Sequence, residues 1–300
     1  MKDRHMNFSQ LHCLVALAET GSFTEAAYTV SMTQSAVSHA LAKLERELGV
    51  TLLERNRKGV VALTDVGQKI IPYARLLLTQ AENIEQEARA ARGLAMGKLR
   101  LGSIFSLCPG LLTGILTHFQ QVYPDIEVIL FEGTLQEVQE WIATGIVDIG
   151  FVFHAAKGGK STPIAADALH VFVSEEHPLH TRVTVSINDL RKERLIMPKT
   201  GGAFLEIVSF DLKATGSSIR YQASDGATIL AMVREGLGVT LLPRMMLPQG
   251  LEGVVALPLD PPQHVQIGLA TQEKGRTSPA VRLFVQTALT WTQRSALLRP

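Results

Sequence analysis

Apolar residues recur at helical spacing at the start of the chain. The series from Phe8 to Ala18 predicts a first helix, which Gly21 ends as a helix C-terminal glycine would. Ser22, followed three residues later by Glu25, has the pattern of a capping box. We therefore expect a second, short helix directly after the first.

A third helix is predicted over Gln34–Leu48, between Thr33 as N-cap and Gly49 after its end. Apolar residues fall on one side of it, and short polar or basic residues fall on the other. The polar residues are Gln34, Ser35, Ser38, His39 and Lys43. Two short helices joined by a tight turn form a helix-turn-helix, whose second helix enters the major groove of DNA. These five side chains are therefore predicted DNA contacts, with an ordinary solvated helix face as the alternative.

A basic turn follows between two short apolar segments. Leu52-Leu53 and Val60–Leu63 predict two strands, and Arg55, Arg57 and Lys58 lie between them. Such a hairpin is typical of the wing of a winged helix-turn-helix, whose basic tip can lie against phosphates or in the minor groove. The three cations are accordingly predicted to contact DNA, and residues 1–63 to form a DNA-binding domain.

One long linker helix is predicted next, over residues 64–93, and Pro72 within it predicts a bend. Its apolar residues fall on a heptad seam. They are Val66, Ile70, Tyr73, Leu77 and Ile84. Because an isolated helix with such a seam would be poorly stable, we expect dimerisation through the same helix of a second chain. Packing against the chain's own body is the alternative.

Strands and helices alternate over residues 98–300, which predicts an α/β domain with a mostly parallel sheet and helices on both faces. The predicted elements include helices over Pro109–Tyr123 and Phe204–Ala214 and a strand over Ala168–Ser174. The alternation forms two units within an effector-binding domain over residues 94–300. Residues 98–165 and 268–300 are assigned to the first lobe, and residues 166–267 to the second. Open sheets bind ligands at the carboxyl ends of their strands, and two joined units leave a cleft between them.

Several residues at or just after predicted strand ends are candidates for an effector site in that cleft. They are Ser103, Ser106, Thr134, Phe153, Pro198, Lys199, Thr200 and Ser224. Hydroxyl groups, a lysine and helix N-termini that converge on a cleft suit a small anion such as a carboxylate. Helix capping is the alternative role of each hydroxyl. Asp225 fits an anion poorly and is expected to cap the next helix or to orient a donor.

Charge and composition restrict the classes of function. The 300 residues carry 29 Lys and Arg against 28 Asp and Glu, so DNA contact must come from a local basic surface. Neither a secretory apolar run nor a stretch of about 18 apolar residues is found, which favours a soluble, cytoplasmic protein. Two cysteines suit a reducing compartment, and Cys108 is either an apolar filler or a thiol that senses oxidants.

Signatures of enzymes are missing from the sequence. Gly158-Gly159-Lys160 lacks the spacing of a phosphate-binding loop, and His177 and His180 lack a Cys or carboxylate partner in a metal-like arrangement. The chain is therefore predicted not to be an enzyme, and to need no metal and no cofactor beyond a small-molecule co-inducer.

The N-terminal residues resemble the signature of LysR-type transcriptional regulators. The resemblance rests on Phe23–Ala27, Gln34–Ser38, Leu44-Glu45, Leu48-Gly49, Leu53–Arg55 and Leu63-Thr64 with Gly67. It continues through Gly97–Gly102, Tyr123-Pro124, Glu132-Gly133, Gly145–Asp148, His177–Leu179 and Glu235–Pro243, and so covers nearly the whole chain in order. Leu53 departs mildly from the family, which often has Phe there.

This resemblance implies a ligand-responsive regulator with a winged helix-turn-helix, a linker helix and a two-lobed effector domain similar to periplasmic binding proteins. It implies a homodimer that associates into a homotetramer on double-stranded promoter DNA, with RNA polymerase as a further partner. A periplasmic-type solute-binding protein and an enzyme with an accessory helical domain are the competing functions. The missing secretory run and the basic wing oppose the first, and the missing catalytic motifs oppose the second.

Overall fold

The protein is described by a computed structural model. It covers residues 6–55, 61–104, 108–154, 161–191, 193–199, 218–246, 251–272 and 277–294. The chain divides into two compact units, the first of residues 1–91 with 143–146 and the second of the remaining residues. Within the part of the chain that the structure describes, no helix is both long enough and apolar enough to cross a membrane.

The N-terminal unit contains three short helices, a hairpin and one long helix. These are α1 (Phe8–Thr20), α2 (Phe23–Thr29), α3 (Gln34–Leu48), β1 (Leu53–Arg55), β2 (Val61–Leu63) and α4 (Asp65–Ala90). The predicted N-caps and C-terminal glycines are confirmed: Ser22 accepts from the Glu25 N–H, Thr33 accepts from the Ala36 N–H, and Gly21 and Gly49 take left-handed φ values of 64° and 72°. The full capping box predicted at Ser22 is wrong, because the Ser22 N–H donates to Thr20 Oγ1 at 3.4 Å and not to Glu25. The predicted hairpin is confirmed too, with Leu53 opposite Leu63.

The core of this unit joins the helices to the base of the hairpin. Leu14, Leu41, Leu44 and Leu52 are fully buried in one cluster, and α4 adds its inner side. α4 lies so close to the hairpin base that a Cβ on Gly67 would overlap the Leu52 carbonyl oxygen. Glycine is required there because any side chain would push α4 away from the core.

The second unit contains the remaining elements. They are β3 (Gly97–Ile104), α5 (Thr113–Val122), β4 (Ile126–Gly133), α6 (Leu135–Thr144), β5 (Ile149–His154), β6 (Ser161–Ser174), β7 (Arg194–Pro198), β8 (Ser218–Ala223), α7 (Gly226–Arg234), β9 (Thr240–Pro243), β10 (Val254–Pro258), β11 (His264–Thr271) and α8 (Pro279–Arg294). A π-helical turn at Cys108–Leu112 replaces the start of the helix predicted from Pro109. A helix predicted over Phe204–Ala214 lies outside the described residues.

The large sheet of this unit is mixed, and the prediction of a mostly parallel sheet is wrong. Its strand order is β10-β6-β11-β5-β3-β4, with β9 also paired to β6. β3 runs parallel to β4 and β5, whereas β6 is antiparallel to β9, β10 and β11, and β11 is antiparallel to β5. The reason is topological: β6 leaves the first group of strands and β11 returns to it, so the two neighbours run in opposite directions.

Strand β6 is twice as long as predicted, and its two halves have different partners. Ser161 to Ala168 pair with β11, and the rest pairs with β9 and β10. The prediction found only Ala168–Ser174, because Pro163 interrupts the strand pattern in the first half. The register of β11 shifts between Ile267 and Gly268, opposite this proline, which lets the pairing continue past it.

A close contact between α5 and α8 gives a test of this packing. A Cβ on Gly114 would overlap the ring of the half-buried Trp291, whereas one on Gly110 would meet nothing within 4 Å. Gly114→Ala should therefore destabilise the unit by about 1–3 kcal/mol in denaturant unfolding, because the indole must move. Gly110→Ala is the control. Adding Trp291→Leu to Gly114→Ala should recover much of the lost free energy of unfolding, because the smaller side chain leaves room for the new Cβ. Equal unfolding of the two alanine variants would contradict this packing.

Candidate functional site

The predicted DNA contacts of α3 all lie on its exposed side. Gln34, Ser35, Ser38, His39 and Lys43 are exposed. On the other side, Val37, Leu41 and Leu44 are at most 1% exposed within the core. The buried leucines thus hold the helix in one rotational position, and that position presents the polar residues together to solvent. The site the sequence predicted on α3 is therefore assembled, and contact with DNA stays a prediction.

The turn between α2 and α3 depends on a residue that sequence reasoning missed. Ser31 has a left-handed φ of 52°, and its N–H donates to the Tyr28 carbonyl at 3.1 Å. The next N–H, of Met32, donates to the Ala27 carbonyl at 2.9 Å. A non-glycine residue in this conformation costs about 1 kcal/mol, so the packing of both helices must hold the turn.

Lys43 differs from the other α3 contacts because it has a partner on its own helix. Its Nζ lies 3.8 Å from Glu47 Oε1, an exposed pair that stabilises the helix only weakly. The same carboxylate accepts from Nε2 of the buried Gln10 on α1 at 3.0 Å. A phosphate would therefore compete with Glu47 for this lysine, which the spacing of the sequence alone does not show.

The hairpin is tied to α3 through another carboxylate. Glu45 Oε1 accepts from the Leu52 N–H at 2.7 Å and from the Leu53 N–H at 3.2 Å. A groove of about 160 Å³ lies beside it, with Ser38 and Ala42 on the helix side and Leu53, Glu54 and Val61 on the hairpin side. Arg57, Lys58 and the side chain of Arg55, the predicted wing contacts, lie outside the described part of the structure.

Helix α4 has two apolar sides. Ile71, Ala74 and Leu78 are buried within the core. An adjacent side exposes most of the predicted seam: Val66 at 41%, Tyr73 at 70%, Leu77 at 44% and Ile84 at 72%. Ile70 lies between the two sides and is half-buried against the core. The helix continues across Pro72, and the bend predicted there stays a prediction.

Two candidates of the first lobe lie at neighbouring strand ends. Parallel pairing places Ser103 of β3 opposite Glu132 of β4, two residues before Thr134. Ser103 is fully buried, as is Phe153 of β5 at 4% exposure, so neither faces solvent in this conformation. Their contact with an effector stays a prediction, and Ser106 lies outside the described residues.

Thr134 has the capping role that was the alternative to ligand binding. Its hydroxyl donates to Glu137 Oε2 at 2.8 Å, and its N–H donates to the same oxygen at 2.7 Å. These two hydrogen bonds hold the pKa of Glu137 below its usual value. An anion that binds the Thr134 hydroxyl must therefore displace this carboxylate.

Candidates of the second lobe meet at the carboxyl ends of β7 and β8. The Lys199 N–H donates to the Ala223 carbonyl at 2.9 Å, which brings the exposed Lys199 beside the exposed Ser224. Pro198 is buried directly before them. Asp225 caps α7, as predicted: its Oδ1 accepts from the Thr228 N–H at 2.8 Å, which lowers the pKa of Asp225. Thr200 lies outside the described residues.

Of the cysteine and histidine candidates, the structure describes the surroundings of Cys13 and His177. Cys13 is buried, its Sγ lies 3.9 Å from Met32 Sδ, and burial raises the pKa of its thiol. Cys108 opens the π-helical turn, and its side chain is not described. His177 does have a carboxylate neighbour that spacing did not show, Glu193 at 3.3 Å, while its other ring nitrogen accepts from the Leu179 N–H. Among the described residues, no cluster of three metal-ligating side chains is found.

Comparison with known proteins assigns both units. Residues 8–68 match the family described as "Bacterial regulatory helix-turn-helix protein, lysR family", and residues 92–293 match "LysR substrate binding domain". The chain is 32% identical over 290 residues to YvbU of Bacillus subtilis (strain 168), an uncharacterised HTH-type transcriptional regulator, over 94% of this chain and 98% of that protein.

Solved structures show the same fold. A full-length cysteine-to-aspartate variant of OxyR from Pseudomonas aeruginosa superposes with a TM-score of 0.80 at 24% identity, over 99% of this chain and 97% of the other. Full-length CbnR in complex with its target DNA gives a TM-score of 0.65 at 23% identity, over 95% of this chain and all of that one. The winged helix-turn-helix and α/β effector architecture is thus confirmed. The chain belongs to the LysR family of DNA-binding transcriptional regulators, which are not enzymes.

Proposed function

We propose that this regulator reads DNA with the exposed side of α3 and holds the DNA backbone with the wing. The observation that carries the proposal is the two-sided α3, whose buried leucines aim Gln34, Ser35, Ser38 and His39 together at solvent. Gln can pair with adenine through two hydrogen bonds, and Ser and His can reach base edges or phosphates. Lys43, Arg55, Arg57 and Lys58 supply the positive charge.

Gln34→Ala tests this reading of bases. The variant should lose about 1–3 kcal/mol of discrimination at one base pair, because it removes a two-bond contact and leaves the phosphate contacts in place. Competition binding with single-base variants of a duplex from upstream of its gene measures the effect. Gln68→Ala, which removes an exposed glutamine of α4, is the matched control. An unchanged base preference of the α3 variant would contradict the proposal.

The exposed side of α4 supports assembly as the second part of the proposal. Val66, Tyr73, Leu77 and Ile84 are exposed along one side of a helix whose inner side is already buried in the core. A second copy that covers this stripe of four residues would make a dimer with two recognition helices, suited to a near-palindromic site. Contacts between effector domains would join two dimers into a tetramer.

Charges on the stripe test the dimer. A triple variant should be monomeric, and it combines Tyr73→Asp, Leu77→Asp and Ile84→Asp. Burying three unpaired carboxylates per chain would cost more free energy than burial of the stripe contributes to dimerisation. Ile70 is left unchanged since it also packs on the core. Light scattering measures the mass, and Gln68→Asp, at an exposed position on another side of α4, should keep the wild-type mass. A triple variant that keeps the wild-type mass would mean that the stripe is not the interface.

The effector-binding part of the proposal is a small anion bound between the two lobes. Lys199 and Ser224 support it most directly, because hydrogen bonding between β7 and β8 holds them side by side and exposed. Ser103, Ser106, Thr134, Phe153, Pro198 and Thr200 are proposed around them. Thr134 would first release Glu137, and the lobes would shift to open Ser103. We propose no resident cofactor, RNA polymerase as a partner, and action in the cytoplasm.

A thermal-shift screen of small carboxylates tests this site. A carboxylate present at 100 times its dissociation constant should stabilise the fold by about 2.7 kcal/mol, which raises Tm by roughly 5–10 °C. Lys199→Ala combined with Ser224→Ala should abolish the shift. Lys98→Ala, which removes an exposed lysine paired with Glu127 on β3 and β4, is the control. A shift that persists in the double variant would place the anion elsewhere.

A further inference from the structure

We propose that Glu45 is a positioning residue for DNA binding, whose carboxylate fixes the direction in which the wing leaves the recognition helix. This inference rests on the proposed function, since it requires the wing to touch DNA. Glu45 lies on α3, seven residues after Ser38, and both side chains line the same groove as the first strand of the hairpin. It is therefore the part of the recognition helix that faces the base of the wing.

The contact joins two neighbouring main-chain groups. One oxygen, Oε1, accepts from both the Leu52 and Leu53 N–H groups, at 2.7 Å and 3.2 Å. Hydrogen bonds to an ionised carboxylate are stronger than those between neutral groups, and two donors on one oxygen fix the orientation of the segment as well as its distance. Because Leu53 is the first residue of β1, these two hydrogen bonds fix the direction in which the strand begins.

The same segment is held from its other side by the linker helix. The Leu52 carbonyl accepts from the Thr64 N–H at 2.9 Å, and the Thr51 carbonyl accepts from the Thr64 hydroxyl at 2.8 Å. Thr64 is the N-cap of α4 and directly follows β2. The hairpin is thus clamped at the bases of both strands, by α3 on one side and by the start of α4 on the other.

Such a clamp matters because the wing has little structure of its own. β1 and β2 are three residues each and pair only with one another among the described strands. Two-stranded hairpins are marginally stable, so their direction depends on what holds their base. In the sequence, Arg57 and Lys58 lie between the last residue of β1 and the first residue of β2. A small rotation at Leu52 and Leu53 would change the direction in which β1 leads the chain towards these two cations.

The salt dependence of DNA binding separates positioning from folding. Each phosphate contact contributes about one unit to the slope of log affinity against log salt. Arg57→Ala with Lys58→Ala should therefore lower the slope by about two units per protomer, about four units for a bound dimer, and the slopes below are given per protomer. Glu45→Ala should lower it by a similar amount, although it removes a negative charge near DNA. In the Arg57→Ala, Lys58→Ala background, Glu45→Ala should change the slope by less than about half a unit.

Two further variants serve as controls. Glu45→Gln keeps an acceptor oxygen in place and should restore most of the slope. Glu54→Ala removes an exposed carboxylate that lines the same groove and should leave the slope unchanged. Stoichiometric titration at a temperature well below Tm counts the folded fraction, which changes the amplitude of binding but not the slope.

The outcomes distinguish this inference from the proposed function. A wild-type slope in Glu45→Ala, while the double wing variant loses two units, overturns the positioning role and leaves the wing contacts standing. A slope that falls equally in Glu45→Ala with and without the wing cations also overturns it, because Glu45 then acts elsewhere. An unchanged slope in the double wing variant overturns both the wing contact and the inference.

Discussion

Helix α4 must satisfy two apolar sides at once, and the organisation of the N-terminal unit follows from this constraint. Its inner side, with Ile71, Ala74 and Leu78, completes the core under α1. Its outer side leaves Tyr73 and Ile84 more than two-thirds exposed. Burial of apolar surface is the main source of stability, so a single folded unit leaves part of the apolar surface of α4 without this stabilisation. The proposed dimer would cover this remaining apolar surface of α4.

The recognition surface is likewise a product of the interior. Ser35 and Ser38 face solvent together because the fully buried Val37 and Leu44 fix the rotation of α3 about its axis. The helix ends are fixed by the Thr33 and Gly49 caps. A change in the core beneath α3 would therefore move the proposed DNA contacts without replacing any of them.

The most accurate predictions from the sequence concern features that residues close together in the chain determine. The bounds of α3, its caps and the capping role of Asp225 depend on residues within one turn of each other, and all were predictable from spacing. Strand β6 was half missed because Pro163 weakens a local pattern that pairing with β11 overrides. The bonds of Glu45 to Leu52 and of His177 to Glu193 span seven and sixteen residues, and only the folded chain shows them.

The predicted sheet direction failed for a related reason. Alternation of strands and helices is typical of parallel sheets, and it holds for β3, β4 and β5. It does not reveal that the chain leaves this group through one strand and comes back through its neighbour. The predicted elements that the structure describes occur in the predicted order, but β9 and β10 were not predicted. The pairing of distant strands had no counterpart in the local pattern.

That exit and return give the effector unit the plan of one domain inserted into another. Ala168 on the outgoing strand pairs with His264 on the incoming strand, so the residues between them leave and re-enter the first lobe at a single point. An insert whose ends are adjacent can be removed, exchanged or permuted without stretching its host, because the gap is closed by a short turn. The residues between Ala168 and His264 are thus joined to β3, β4, β5 and β11 through two neighbouring strands, and a different insert with equally close ends would fit the same sheet.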